Sequence, residues 1–298
     1  MERHILRPGP NDLGKRIDRI LRVCFPSAPL RALFAALRKG EIRVNGKKAR
    51  EDYRVAEGDE ISVKKIAPFF PCETRSLTLS AAERSGKKTA VHAGNPLKKY
   101  IVYENEHFLA LNKPWGMLSH GPGSLAEEVA AYLQPVLPPS LAFSPGPLHR
   151  LDRNTTGLIF FSKSLEGARA FSVALRAGSI RKTYYALVEG RLATRQTWTD
   201  ILARDAKSRV SRAVPEEGEG KTARSEIRPL ARGRSHTLCE VVIQTGRTHQ
   251  IRAQAAAPCR ALRTARTSST PRRSSFRLIS RWNFRLRHML SALLCPQM

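Results

Sequence analysis

The sequence predicts an α+β protein in two parts, a small N-terminal α/β module and a larger mixed domain built on a mainly antiparallel sheet. Three observations carry this expectation. Two amphipathic stripes precede an Asn-Gly turn flanked by alternating residues within positions 1–66. Residues 67–98 lose periodicity and gain prolines. From Tyr100 onward, strand and helix patterns alternate across connections of varied length, several too short for helical crossovers.

In the first module, apolar residues after Leu13 recur at Ile17, Ile20, Leu21 and Cys24, one face of a helix that carries Lys15, Arg16, Arg19 and Arg22 and closes at Pro26. Leu30, Leu33, Phe34 and Leu37 mark a second helix. It ends at Gly40, a residue free to take the positive φ of a helix C-terminus. Glu41 to Val44 alternates apolar and polar, Asn45-Gly46 signals a tight hairpin turn, and Glu60 to Val63 resumes the alternation. Arg31, Arg38, Lys39, Arg43, Lys47 and Lys48 fall on the second helix and the hairpin. They form either one positive face for backbone phosphates or an ordinary solvated surface. Residues 67–98 read as a linker, with Leu77 to Ala82 as a short packed strand or turn inside it.

In the larger domain, strands are expected over Tyr100–Glu104, His107–Asn112, Gly157–Ser162, Arg181–Val188 and Thr237–Gln244. Helices are expected over Leu125–Leu133 and Leu165–Leu175, the second begun by Ser164.

Composition narrows the function. A chain of 298 residues with 41% hydrophobic content can bury a real core. Its formal charge of +27 attracts polyanions, of which nucleic acids are the common soluble kind, although a solvated basic surface has the same composition. Cysteines 24, 72, 239, 259 and 295 are scattered without a Cys-x-x-Cys pair, so reduced thiols are expected. The N-terminus lacks the apolar stretch of a secretion signal and no segment offers about 18 consecutive apolar residues, which points to a soluble cytoplasmic protein.

Against this charge, the nonamer His149-Arg150-Leu151-Asp152-Arg153-Asn154-Thr155-Thr156-Gly157 stands out, because it frames one carboxylate with cations and hydroxyls. Three further polar clusters interrupt strand ends: Asn112-Lys113-Pro114-Trp115-Gly116 leading into Ser119-His120-Gly121, Lys182-Thr183-Tyr184-Tyr185, and Thr245-Gly246-Arg247-Thr248-His249-Gln250-Ile251-Arg252. Sites gather at such strand ends.

Two resemblances follow. LRKGEIRVNGKKAR with VAEGDEISV resembles the S-four (alpha-L) RNA-binding domain over about residues 14–65, which implies that Arg31, Arg38, Lys39 and Arg43 contact structured RNA. The four clusters, in order, resemble the RluA-type pseudouridine synthases over about residues 99–257, with Thr156 in place of a usual Ser and Asn154 in place of a frequent Asp. That resemblance implies a uridine-to-pseudouridine isomerase with Asp152 as the carboxylate nucleophile, attacking the sugar or assisting its deprotonation. It implies Arg247 as the cation paired with Asp152, Tyr184 packed on the target base, and Arg150 entering the space the flipped base leaves. His149 and His249 are expected to be structural, and Lys113 to support a loop. No cofactor or metal is expected. The partner is structured RNA, ribosomal first and transfer RNA second, acted on by a monomer away from any membrane. The rival reading is a non-catalytic RNA-binding protein or inactive pseudoenzyme; a nuclease fits less well, because no paired-carboxylate metal site is visible.

The pattern breaks after Ala257. Residues 258–298 contain nine Arg, no Lys and no acid. They are a basic RNA-binding tail or the product of a frameshift in GC-rich coding sequence. The frameshift is favoured, since true basic tails mix Lys with Arg and loss of a core strand uncovers apolar surface. The expected organisation is therefore 1–66, 67–98, 99–257 and an aberrant 258–298.

Overall fold

The computed structural model describes residues 3–64, 96–205, 211–215, 219–256 and 278–281. Contacts divide the chain into two compact units: Met1–Ala110 with His120–His149 and Phe160–Arg169, and Leu111–Ser119 with Arg150–Ile159 and Ala170–Met298.

The first unit begins with β1 (Arg3–Leu6), α1 (Ile17–Cys24), α2 (Leu30–Lys39), β2 (Ile42–Val44), β3 (Lys47–Lys48) and β4 (Ile61–Lys64), with sheet order β1-β4-β2-β3, all antiparallel. The two stripes of the sequence become one core: Ile17, Ile20, Leu21, Leu33, Leu37, Ile42 and Ile61 are completely buried together. Asn45 and Gly46 take φ of 50° and 75°, the left-handed pair that a two-residue hairpin turn requires, and Gly40 at φ 72° ends α2. Helix α1 starts at Ile17 rather than near Leu13, because Pro10–Asp12 forms a separate 3-10 turn.

That turn has a task the sequence did not announce. Asp12 is fully buried and accepts hydrogen bonds from Gly9 N (3.0 Å), Ser140 Oγ (2.6 Å), Leu141 N (2.6 Å) and Ala142 N (2.9 Å), while Asn11 Oδ1 accepts from Leu165 N (2.9 Å). A buried carboxylate is tolerable only when its lone pairs are satisfied in this way. The N-terminal segment is thus stapled to residues 140–142 and 165. Of the expected linker, 67–95 lies outside the described residues, including Leu77–Ala82, and Pro96–Tyr100 forms a 3-10 turn with Leu97 buried.

β5 (Ile101–Glu104) follows in the first unit, then β6 (Phe108–Lys113), which enters the second unit at Leu111. α3 (Leu125–Leu133) and β7 (Gly146–Pro147) return to the first unit, and β7 pairs with the end of β8 (Thr155–Ser162). α4 (Leu165–Arg176) starts at Ser164, whose Oγ accepts from Gly167 N at 2.9 Å, the expected cap.

The second unit continues through β9 (Lys182–Glu189), β10 (Gln196–Arg204), β11 (Ser211–Val214), β12 (Lys221–Arg232), β13 (His236–Ile243), the short α5 (Gln250–Ala255) and β14 (Leu278–Arg281). Its strands lie in the order β11-β10-β12-β13-β9-β14-β8. Every described pairing here is antiparallel except β14 with β8. The mainly antiparallel α+β class expected from the sequence is what forms. Three strands, β10 to β12, had no counterpart among the expected elements. The segment beyond Ala257, read as aberrant, supplies backbone to the middle of the sheet, since β14 lies between β8 and β9.

Candidate active site

Asp152 sits in a tight turn, where its carbonyl accepts from Thr155 N at 3.0 Å as β8 begins. The turn is held by the segment that follows β6. Lys113 Nζ, with no solvent exposure, donates to the carbonyls of Pro114 (2.9 Å), Met117 (2.7 Å) and Arg153 (3.0 Å). Gly116 N donates to Arg153 O and Arg153 Nε to Gly116 O, both at 3.0 Å; Ser119 Oγ donates to Leu151 O at 2.7 Å and accepts from Leu151 N at 3.1 Å. Asp152 is flanked on both sides by residues whose backbones are tied to 113–119. The expected supporting part for Lys113 is visible in these bonds. Burial pushes its ammonium down to about 8, and the nearby Asp152 charge opposes that shift.

The second wall is the 245–252 loop. Gln250, buried, accepts from Thr245 Oγ1 (2.7 Å) and Arg247 N (3.0 Å) and donates to Arg224 O (3.1 Å) and Ser225 Oγ (2.9 Å), which folds the loop around its side chain. His249 is forced to φ 51°, an uncommon conformation for a residue with a Cβ and one that clusters at functional sites. Its Nε2 lies 3.9 Å from Asp152 Oδ1. Within the first turn of α5, Arg252 Nε lies 3.8 Å from Asp152 Oδ2.

Arg247 is therefore not the cation beside the carboxylate. It is exposed, and its Nε donates to Thr222 O at 3.0 Å; among the described residues, the basic groups within 4.0 Å of Asp152 are Arg252 and His249. The reason is local. Arg247 precedes the helix and is held to the backbone of β12 by its bond to Thr222 O, whereas Arg252, on the first turn of α5, faces the turn at Asp152. Burial lowers the Arg252 guanidinium below its usual value, and the Asp152 charge acts against that. Arg252 stood in the same sequence cluster, but spacing alone does not say which of two arginines five residues apart turns inward. His249, read as structural, is also brought to the carboxylate.

Tyr184 is buried in β9, in register with Val241 of β13 and Ser280 of β14. Burial, and secondarily the Asp152 charge, raise its phenol well above the ordinary value, so it stays a neutral donor at any physiological pH. Tyr185, on the opposite face, is half-buried.

Arg150, Asp152, Thr155, Tyr184, Ile243 and residues 246–252 line one cleft of about 120 Å³. A cavity of about 150 Å³ holds a benzene molecule, so the cleft has the scale of a single ring. Arg150 is exposed at this cleft, while His149 accepts from Phe160 N at 3.1 Å, a structural contact. In the first unit, Arg31, Arg38 and Lys39 are exposed, and Arg43 is partly committed, donating to Gly40 O (2.9 Å) and Gly46 O (3.4 Å). Among the described residues, no cluster of three or more His, Cys, Asp or Glu could hold a metal.

Residues 107–257, which contain the whole cleft, match the RNA pseudouridylate synthase family. The chain belongs to that family. It is 31% identical over 245 residues to ribosomal large subunit pseudouridine synthase C of Salmonella typhi and of Escherichia coli K12, covering 81% of this chain and 72% of each relative. The corresponding protein of Vibrio cholerae is 30% identical over 243 residues, covering 80% of this chain and 72% of that protein. Human RNA pseudouridylate synthase domain containing 1 shares the fold at a TM-score of 0.50 and 20% identity, over 60% of this chain and 75% of that one. Membership makes this pseudouridine synthase an isomerase that acts on RNA, in agreement with the reading of the four clusters. The family match ends at residue 257, where the sequence changes character.

Proposed function

We propose that this synthase converts uridine to pseudouridine in ribosomal RNA, with Asp152 as the nucleophile. The observation that supports this most is the convergence of Asp152, Tyr184 and Arg252 on one ring-sized cleft inside the family region. The reaction is an isomerisation without net change in atoms. The N1–C1′ bond breaks as the carboxylate attacks the sugar or assists its deprotonation. The base turns within the cleft, a C5–C1′ bond forms, and the C5 proton is lost as N1 gains one. Arg252 is the cation that orients Asp152. Tyr184 packs on the base with its neutral hydroxyl available to a proton transfer, and Arg150 occupies the space left when the uridine leaves its stack. Similarity to three ribosomal large subunit pseudouridine synthases favours the ribosomal substrate over transfer RNA.

Residues 1–66 act in this proposal as an S-four type RNA-binding domain, with Arg31, Arg38, Lys39 and Arg43 on phosphates. The enzyme works as a cytoplasmic monomer. Residues 258–298 carry a second reading, an inactive or weakened enzyme with a frameshifted end, favoured by the break at 257 and the nine-Arg composition. Mapping pseudouridines in ribosomal RNA from cells with and without the gene tests the function: loss of one or more specific sites is expected, and an unchanged map refutes it. Resequencing the locus decides the frame of the last 41 codons.

A further inference from the structure

The cleft contains a hydroxyl that the mechanism above does not use. Thr155 is 2% exposed, and its Oγ1 makes no hydrogen bond among the described residues. Thr155 N is committed to Asp152 O at 3.0 Å, so the residue is fixed as the last position of the Asp152 turn and the first of β8. Thr155 lines the same cleft as Asp152, Tyr184 and Ile243. Burying a hydroxyl without a partner costs free energy that a valine of the same shape would not incur. Folded proteins pair the large majority of such groups, and a buried orphan beside a ligand cleft is accounted for when its partner arrives with the ligand.

We infer that Thr155 Oγ1 hydrogen-bonds the pyrimidine base of the target nucleotide while that base lies against Tyr184, making Thr155 a substrate-contacting residue. The inference rests on the proposed uridine chemistry at Asp152. The base is the favoured contact over the sugar because a ring-sized space walled by Tyr184 and Ile243 suits a flat, largely apolar ring with polar edges. A hydroxyl can donate to either uracil carbonyl or accept from the ring N–H. The bond would hold the base in place once its link to the sugar is cut, the moment at which a free ring could otherwise drift from C1′.

The test uses the full chain and ribosomal RNA extracted from cells that lack the gene. Single-turnover pseudouridine formation, RNA affinity and thermal unfolding are measured for wild type, Thr155→Val and Thr155→Ser. The expected result is a rate lowered about 10- to 100-fold in T155V with unchanged RNA affinity. The melting temperature should equal or exceed that of wild type, because the orphan hydroxyl is gone. T155S should recover the rate to within about threefold of wild type. A wild-type rate in T155V overturns the inference alone, as does a loss of rate in T155V that tracks a fall in melting temperature. A wild-type protein that forms no pseudouridine on this RNA overturns the proposed function and the inference with it.

Discussion

The N-terminal module and the Asp152 cleft both carry cations, and they hold them in opposite ways. On α2, Arg31, Arg38 and Lys39 project into solvent; such charges act at a distance, through a field that salt screens. Around Asp152, Lys113 is fully buried against three carbonyls and Arg252 is half-buried against the carboxylate, and burial lowers both from their usual values. The first arrangement suits capture of a polyanion of any sequence. The second suits positioning one acid, because Lys113 ties down the backbone beside it through three carbonyls and Arg252 sets an opposite charge 3.8 Å from its carboxylate.

This contrast is tested most severely at the acid itself. Asp152→Asn should reduce pseudouridine formation below detection and leave RNA affinity within about twofold, since the amide keeps the shape and loses the proposed nucleophile. Product formation by that variant removes the basis for treating the cleft as the reactive region. Arg252→Gln should slow single-turnover formation about 100-fold, the scale on which loss of one preorganised electrostatic partner acts. Arg247→Gln should cost no more than a few-fold, in affinity rather than rate; the reverse ranking would restore the sequence-based pairing. Joint replacement of Arg31, Arg38 and Lys39 by Gln should leave the rate at saturating RNA intact and weaken binding. The slope of log affinity against log salt should become shallower by roughly two to three, about one for each phosphate that is no longer neutralised. A steep slope that persists in the triple variant places the RNA elsewhere.

The smallest effect concerns Lys113. Its folded-state value of about 8 lies below the unfolded value of 10.5, so below pH 8 the folded protein carries a charge that burial penalises. Between those values the unfolded chain binds the extra proton, and stability rises with pH. Denaturant unfolding of wild type and Lys113→Met from pH 7 to 10 should show wild type gaining on the variant by on the order of 1 to 2 kcal/mol. A flat difference means Lys113 keeps its proton at an ordinary value.

What the sequence made legible follows from the range of the forces involved. Helices α1 and α2, the Asn45-Gly46 hairpin, α3 and α4 are set by periodicity and caps within a few residues, and they appear within a few positions of expectation. Asp152 and Tyr184 were legible because their clusters have a distinctive order. The strands β10, β11 and β12 were not. Their Arg, Lys and Thr alternate weakly with apolar residues, and their pairing with one another, rather than a local signal, makes them strands. Arg252 was missed for the same reason at smaller scale: the choice between it and Arg247 is made by how Gln250 bends the loop, and that depends on Arg224 and Ser225 of β12. The part of β14 in the sheet was hidden by composition, because an Arg-rich segment does not advertise an inner strand.

The staple at Asp12 places a constraint on time as well as on space. Its carboxylate must leave water, yet the Ser140 hydroxyl and the Leu141 and Ala142 amides that receive it lie 128 to 130 residues downstream. A ribosome adding roughly 5 to 20 residues per second needs on the order of 10 s to deliver them. During that interval the core of the module can close on residues already made, while the Pro10–Asp12 turn stays hydrated and exposed. The staple is therefore the last part of the module that synthesis can complete, and protection from exchange of the Leu141 and Ala142 amides, which donate to the Asp12 carboxylate, is a clock for its closure.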